Sequence, residues 1–118
     1  MYDIKANVNT LLSSITGITV SDAYPKDFNK LPHISFYEIA NSDPLTIANS
    51  PLTDINIQID IWHNRSTGQL ASDVDMKMNS IGFRRSFASD VPDPSGVKHK
   101  TMRYKGVVDA RNGMVYQK

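Results

Sequence analysis

Three histidines and a few aspartates are the side chains in this sequence best suited to chemistry. His33, His63 and His99 lie on three separate predicted strands, and neither an HxxxH nor an HxH spacing occurs. The sequence therefore places no two of them as ligands of one metal ion. Asp73 and Asp75 are two positions apart on a predicted helix and point in different directions, so they form a poor carboxylate pair. We predict no metal site, and histidines that are hydrogen-bonded or at the surface.

Asp60 is the strongest single candidate for a general base, because it lies on the polar side of a predicted buried strand. An enzyme with an Asp60/His63-centred site is one alternative. The favoured interpretation is structural, with Asp60 paired to a Lys or Arg on a neighbouring strand. The sequence contains no G-x-S-x-G motif and no glycine-rich phosphate loop. We therefore predict no catalytic residue, no cofactor and no enzymatic activity.

The strand that carries Asp60 is the most regular stretch of the chain. From Thr53 to His63, isoleucine alternates with other residues at a strict period of two, at positions Ile55, Ile57, Ile59 and Ile61. Alternate side chains of a strand point to opposite faces, so the isoleucines form one apolar row. Burying four of them contributes roughly 6–12 kcal/mol before conformational entropy is counted. The pattern predicts a central antiparallel strand with helices on its isoleucine side.

Two apolar stripes at helical spacing predict two helices. The first covers residues 4–15, with Asp3 as its N-cap and Gly17 as the left-handed residue that ends it. The second follows a capping box made by Ser66 and Gln69. Its stripe consists of Leu70, Ala71, Val74, Met78 and Ile81.

Alternation and turn residues predict the remaining strands, at 18–20, 33–39, 83–88, 98–110 and 114–116. Gly82 is expected to end the second helix, with Phe83 packed back on its last turn. Phe83, Arg85 and Phe87 are expected to share one face of a strand. Gly106 is expected to mark a bulge, and Asn112-Gly113 to form a type I′ hairpin turn.

These elements predict a single α+β domain over residues 1–118. Its order is α-β-β-β-α-β-β, and two helices cover one face of a mainly antiparallel sheet of four to six strands. The chain has 118 residues, 40% of them hydrophobic, and no cysteine, which suits one domain with its own core and no disulfides. No apolar run reaches the roughly 18–20 residues of a membrane span. The first residues do not resemble a signal peptide, so we expect a protein made and kept in the cytosol or in an assembly formed there.

Charge is unevenly distributed along the chain. Residues 1–83 contain five Lys or Arg against nine acidic residues, and residues 84–118 contain eight against three. No helix concentrates the cations, and RNP-type aromatic motifs are absent, so protein contacts are favoured over nucleic-acid reading. The alternatives are solvated surface charge, head-to-tail contacts between copies, and a basic surface that meets DNA.

The segment 41–52 is longer than a hairpin loop needs, and it contains the apolar residues Leu45 and Ile47. Long loops in compact domains are usually functional or disordered. We predict that it docks on a partner. The candidate interface residues are Leu45, Ile47, Arg84, Arg85, Lys98, Lys100, Arg103 and Lys105.

Four runs together resemble the small tail-terminator, or tail-completion, proteins of long-tailed bacteriophages (siphoviruses). These runs are Ile59-Asp-Ile-Trp-His63, Met78-Asn-Ser-Ile-Gly-Phe83, Arg85-Ser-Phe-Ala-Ser-Asp90 and Lys100-Thr-Met-Arg-Tyr-Lys-Gly-Val-Val-Asp109. The resemblance covers roughly residues 54–110. Its motifs are structural, and no family residue with a chemical role carries over to this chain.

The resemblance implies a virion protein that forms a ring, usually of six subunits, at the head-proximal end of the tail. Such a ring ends polymerisation of the tail tube and provides the head-to-tail joining surface. The implied partners are other copies of the chain, the major tail-tube protein and the head connector. Non-specific contact with DNA in the lumen is a further implied interaction, and no contact with a membrane is implied. Assembly is expected in the host cytoplasm. A head-completion (head-closure) protein is the nearest alternative, and the Asp60/His63 enzyme a more distant one.

Overall fold

A computed structural model describes residues 3–22, 31–42 and 51–116. Two helices and six strands follow one another in the order α1, β1, β2, β3, α2, β4, β5, β6. Their bounds are Lys5–Ser13 (α1), Thr19–Asp22 (β1), His33–Ser42 (β2), Leu52–His63 (β3), Gly68–Ser80 (α2), Arg84–Val91 (β4), Lys98–Asp109 (β5) and Met114–Tyr116 (β6). The predicted α+β class is confirmed, and the predicted order α-β-β-β-α-β-β matches except for the additional last strand β6.

The six strands form one sheet with the order β1-β2-β3-β5-β4. Only β1 and β2 are parallel; the other pairs are antiparallel. The strand β3 lies in the middle, as its isoleucine pattern predicts. Both β4 and β6 pair with the outer side of β5, β4 along residues 99–105 and β6 along residues 107–109. This shared margin of the sheet is called here the β4–β6 edge.

The isoleucine row of β3 forms the centre of the core. Each of its four side chains is at most 1% exposed, and the same cluster contains residues from both helices and from β2 and β5. The members from α1 and its N-cap are Ile4, Val8 and Leu12, and those from α2 are Leu70, Ala71, Val74 and Met78. We call this side of the sheet the helix face. The opposite side, which carries Asn56, Gln58, Asp60 and Trp62, is called the polar face.

The ends of α1 differ by a few residues from the prediction. The N-cap is Ile4 rather than Asp3, although the Asp3 carboxylate accepts a hydrogen bond from the Lys5 amide at 3.0 Å. The helix ends at Ser13, and Gly17, with φ of 81°, lies in the turn beyond it. The glycine therefore serves the turn into β1 and does not end the helix.

The predicted capping box of α2 is wrong. Thr67 is the N-cap and makes no side-chain cap bond, while the Ser66 hydroxyl accepts from the Gly68 amide at 3.2 Å. Gln69 does not reach back, because its amide donates to Asp73 one turn later at 3.0 Å. Residues four apart on a helix are surface neighbours, and a hydrogen bond to a carboxylate is stronger than one between neutral groups.

The predicted end of α2 is confirmed. Gly82 has φ of 105°, and its amide donates to the Asn79 carbonyl at 3.1 Å. The Phe83 amide donates to the Met78 carbonyl at 3.1 Å. This pair of bonds is the Schellman motif, in which a left-handed residue turns the chain and the next side chain packs on the helix. Phe83 and Met78 are both fully buried.

Two local predictions about the last strands are wrong. The pairing of β4 shifts between Arg85 and Phe87, and this bulge moves Phe87 to the polar face, opposite Arg103. Gly106 marks no bulge, since it pairs in regular register with Ile55. It is required instead by close packing: a Cβ there would lie 2.8 Å from the Phe83 ring.

The hairpin between β5 and β6 is confirmed, but its turn is not the predicted two-residue type I′. Asp109 pairs with Met114, which leaves a four-residue loop over 110–113. The Asp109 carbonyl accepts from the amides of Asn112 and Gly113, and Gly113 takes the left-handed conformation with φ of 72°.

The substitution Ile57→Asp tests the orientation of β3. It places a carboxylate without a partner in the core, so we expect the free energy of unfolding to fall by about 4 kcal/mol or more. Asn56→Asp, on the polar face of the same strand, is the control and should change it by about 0.5 kcal/mol or less. Urea denaturation monitored by Trp62 fluorescence measures both. Similar effects for the two variants would contradict the assigned faces.

Gly82→Ala tests the close approach of the α2 terminus to β6. A Cβ at this position would overlap the backbone of Val115, whereas one at Gly17 would meet nothing within 4 Å. Both glycines are left-handed, so Gly17→Ala should cost only the conformational penalty of roughly 1–2 kcal/mol. Thermal denaturation should show a clearly larger loss for Gly82→Ala, and equal losses would argue against this packing.

Candidate functional site

A buried cluster of polar and aromatic side chains lies on the polar face at one end of β3. The imidazole Nε2 of His99 is 2.9 Å from Asp60 Oδ1. The rings of His99 and Trp62 are stacked, with centroids 3.7 Å apart and planes inclined by 12°. Trp62 Nε1 donates to the Ser35 hydroxyl at 3.2 Å. Strands β2, β3 and β5 each contribute to this cluster, which therefore ties the three strands together.

The geometry of the cluster follows from strand register. Trp62 is the cross-strand partner of His99, and Asp60 is that of Ser35, so all four side chains lie on one face. The side chains of Asp60 and His99 are 8% and 14% exposed. A buried carboxylate needs a charged or hydrogen-bonding partner, and here it has the imidazole and an amide. The predicted Lys or Arg partner for Asp60 is wrong.

A line of contacts continues from this cluster to the surface. The Gln58 side-chain amide donates to Asp60 Oδ2 at 3.2 Å, and Gln58 Oε1 accepts from Arg103 Nε at 3.3 Å. The guanidinium of Arg103 lies over the Phe87 ring, 5.4 Å from its centroid. Arg103 is thus held by a hydrogen bond at Nε and by the Phe87 ring.

His33 lies near the cluster but makes a separate contact. Its Nε2 is 2.7 Å from the Ser21 hydroxyl of β1. Burial lowers the pKa of His33 below the ordinary histidine value, which favours a neutral ring joining β1 to β2. In the parts of the chain that the structure describes, no group of three His, Asp or Glu is placed to hold a metal ion.

The predicted alternative site at Asp60 and His63 is not assembled. His63 is opposite Lys98 on the helix face, whereas Asp60 is opposite Thr101 on the polar face. His63 Nδ1 instead accepts from the Arg65 amide at 2.9 Å. The separation follows from the strand period, since residues three apart point to opposite sides. The histidine that reaches Asp60 is His99, 39 positions along the chain.

The six basic candidate residues do not share one surface. Register places three on the polar face and three on the helix face. The first group is Arg84, Arg103 and Lys105, and the second is Arg85, Lys98 and Lys100. Strands β4 and β5, which carry all six residues, pair with each other, but adjacent positions on a strand point to opposite faces.

Two cations of the helix-face group have acidic partners within the chain. The Arg85 guanidinium is 3.4 Å from Asp75, and Lys100 is 3.4 Å from Asp90. Asp75 also accepts from the Tyr104 hydroxyl at 2.8 Å, and burial together with this bond raises the pKa of Tyr104. Intersubunit pairing of Asp75 would compete with these internal contacts.

A feature not foreseen from the sequence is the apolar character of the β4–β6 edge. Four of the six exposed large hydrophobic residues among the described residues belong to it: Phe87, Val91, Met114 and Tyr116, at 38–55% exposed. Met76, 64% exposed on α2, lines the same cleft as Phe87 beside β4. The individual residues are visible in the sequence, but only the pairing of β4 and β6 with one strand gathers them.

The predicted docking residues Leu45 and Ile47 lie outside the described residues. Of the segment 41–52, the structure shows that β2 continues to Ser42 and β3 begins at Leu52. The antiparallel pairing of Ser42 with Asp54 confirms that the segment connects hairpin partners. The docking role of this segment remains a prediction.

A double-mutant cycle on Asp60 and His99 tests the buried cluster. Asp60→Ala leaves His99 and Gln58 without an acceptor, so we expect a loss of about 1–3 kcal/mol in unfolding free energy. The cycle with His99→Ala should show a coupling of about 0.5 kcal/mol or more. The exposed Gln69–Asp73 pair of α2 is the control, with an expected coupling of only about 0.2–0.5 kcal/mol. Additive effects at Asp60 and His99 would contradict a direct interaction.

Comparison with known proteins adds no relative. No protein-family model matches the chain, and no curated protein matches it. Within the described ranges, no helix is both long and apolar enough to cross a lipid bilayer.

Proposed function

We propose that this chain is a virion structural protein of a long-tailed bacteriophage. In this role it forms a ring at the head-proximal end of the tail tube, ends tube polymerisation, and provides the surface that joins tail to head. The proposal combines the resemblance over residues 54–110 with one structural observation, the exposed β4–β6 edge.

The β4–β6 edge has the properties of a surface used for assembly. No described strand pairs with the outer side of β4, so its backbone donors and acceptors are open to another chain. Its exposed apolar members include Val91 on β4 and Met114 on β6, the two strands that pair with the outer side of β5. Free edges promote pairing between chains, and proteins that stay monomeric usually protect them with charge, proline or a covering element. Exposed clusters of apolar residues commonly mark protein contacts.

A ring requires an edge of one subunit to meet a different surface of the next. Such heterologous contacts close when the rotation between subunits divides a full turn. The sheet supports this geometry because its two margins differ: β1 is a four-residue strand parallel to β2, and β4 is an eight-residue antiparallel strand. The β4 margin of the sheet therefore differs from its β1 margin.

The hydrogen bonds made by the polar residues also favour a role in assembly over a catalytic role. Asp60, the candidate base, is bonded to His99 and Gln58 inside the sheet. His63 is hydrogen-bonded to the Arg65 backbone amide, and His33 is hydrogen-bonded to the Ser21 hydroxyl. These bonds give each group a structural role, which supports a protein that acts through its surfaces.

A head-completion protein is the second candidate, because a connector ring uses the same kind of edge contact. Electron microscopy of phage particles made without this chain separates the two roles. Tails of excess length indicate a terminator. Tails of normal length beside leaking or DNA-less heads indicate a head-completion protein. Normal, infectious particles would overturn both.

The double substitution of Val91 and Met114 by Lys tests the assembly edge. Both side chains are exposed, so the fold should tolerate the change, while charge on the edge should oppose chain pairing. We expect wild-type protein, alone or mixed with tail-tube protein, to show a multiple of the 13.2 kDa monomer mass by native mass spectrometry. The double variant should be monomeric.

Ile39→Lys is the matched control, since Ile39 is 44% exposed on β2, away from this edge. It should assemble like wild type. Reversal of Arg84 and Arg85 to Glu tests the charge contribution in the same assay. Rings that form from the Val91/Met114 double variant as readily as from wild type would remove the edge from the interface.

A further inference from the structure

The loop between β5 and β6 contains an Asn-Gly pair, Asn112-Gly113, whose chemistry the proposed function does not use. Asn112 is exposed, and no other asparagine of the chain precedes a glycine. In such a pair the backbone nitrogen of the second residue can attack the side-chain amide carbon of the first. Glycine permits this attack most readily, because it has no side chain beside its nitrogen and the widest backbone freedom.

The reaction is deamidation, with water as its only co-reactant. The Gly113 nitrogen loses its proton and bonds to Cγ of Asn112, while the bond from Cγ to Nδ2 breaks and Nδ2 takes up a proton and leaves as ammonia. Water then opens the resulting succinimide. Addition of water at Cγ restores the normal backbone and leaves aspartate. Addition at the backbone carbonyl carbon leaves isoaspartate, in which the side-chain methylene has become part of the backbone.

Both reacting groups are held in the folded loop. The Gly113 amide donates to the Asp109 carbonyl at 2.7 Å. This bond must break before the nitrogen can lose its proton and reach the side chain. The Asn112 side chain is held as well, since its Oδ1 accepts from the Met114 amide at 2.9 Å.

The other amides of the loop are also bonded. The Ala110 amide donates to the Pro51 carbonyl at 2.7 Å, and the Arg111 amide donates to the Asp109 carboxylate at 3.0 Å. Because each amide of this loop donates a hydrogen bond, Gly113 cannot turn toward the asparagine side chain on its own. Several bonds have to open together, which is a local unfolding event with its own free energy.

The strand β6 that follows the loop has no room to shift. It is three residues long and pairs with β5. A Cβ at Gly82 would overlap the Val115 backbone, and one at Gly106 would lie 2.6 Å from Val115 Cγ1. An isoaspartate just before β6 lengthens the backbone there and displaces Val115 from these close contacts. The product is therefore incompatible with the docked position of β6.

We propose that Asn112 is a site of spontaneous deamidation that the closed loop suppresses and that release of β6 exposes. Opening of the loop frees the Gly113 nitrogen, and isoaspartate formed in that state prevents β6 from returning. The modification thus records irreversibly that this edge of the sheet has opened. The inference goes beyond the proposed assembly role and does not rest on it, because every group involved belongs to one chain.

Incubation of the full-length protein at mildly alkaline pH, in buffer and in denaturing urea, tests the site. Trypsin releases residues 112–118, in which mass spectrometry measures loss of ammonia and an isoaspartyl methyltransferase labels isoaspartate. We expect Asn112 to react at least about tenfold faster in urea, because the reaction in buffer waits for local opening. Asn64 and Asn79 are also exposed but precede Arg and Ser, so they should stay unmodified over the same time.

Val115→Ser tests the dependence on β6. Val115 packs against the core, so its loss should loosen β6 without touching the Asn-Gly pair. We expect the reaction in buffer to become several-fold faster and the reaction in urea to keep the wild-type rate. Met114→Ser, on the exposed side of the same strand, is the matched control and should leave both rates close to wild type.

Asn112→Asp separates the added charge from the lengthened backbone. This variant carries the carboxylate of one product on a normal backbone, so the amides of β6 should exchange hydrogen as slowly as in the wild type. Wild-type chains that have formed isoaspartate should exchange faster at the same amides.

Three results would overturn the proposal. Absence of reaction at Asn112 in urea, or equal reaction at Asn64 and Asn79, would remove the site. Equal rates in buffer and urea would remove the protection by the loop. Isoaspartate chains with wild-type exchange at β6 would remove the effect on the sheet edge. All of these are measured on the isolated chain, so they succeed or fail independently of ring formation.

Discussion

Burial of one side of β3 against the helices is the constraint on which the rest of this structure depends. Four isoleucines at alternate positions are removed from water by α1, α2 and their neighbours on the sheet. Because a slip of one residue would expose all four, the register of β3 is strongly specified. The same period sends Gln58, Asp60 and Trp62 to the opposite side. The hydrophobic core therefore determines where the polar network must lie.

Pairing of β3 with β5 then brings residues that are distant in the sequence into one network of contacts. His99 meets Trp62 and Asp60, and Arg103 meets Gln58, because the two strands align residue by residue over their whole length. The resulting network is continuous from the stacked rings of Trp62 and His99 to the guanidinium of Arg103 at the surface. Burial in a low-dielectric interior strengthens such bonds and makes a lost partner costly. A change at Asp60 can thus reach the surface through the orientation of Arg103.

Irregularities in the outer strands determine which side chains meet at the β4–β6 edge. The bulge at Arg85–Phe87 turns the Phe87 ring toward Arg103 on the polar face. The short β6 extends the margin that β4 begins, and this places Met114 and Tyr116 in line with Val91. The exposed apolar side chains of this edge and the cations Arg84, Arg103 and Lys105 therefore lie on the same face of the sheet.

Local patterns in the sequence determined the elements and the core, because period and turn chemistry act over a few neighbouring residues. The isoleucine alternation fixed β3 and its buried side, the stripes fixed both helices, and Gly82 with Phe83 fixed the end of α2. The cap of α2, the bulge in β4 and the turn at Asn112 were not predicted correctly. At the start of α2, Gln69 bonds to Asp73 instead of reaching back, and in the turn the Asp109 carbonyl accepts from the amides of Asn112 and Gly113.

The candidate site was decided by the tertiary structure alone. Asp60 was recognised as a candidate from its position, but its partner was sought at His63, which strand geometry excludes, and found at His99. Likewise, the six cations formed one group along the chain and two groups on the sheet. Sequence order shows which residues are near along the backbone and which side of a strand they take. Strand order and cross-strand register decide which side chains meet, and these depend on the summed packing of the whole sheet.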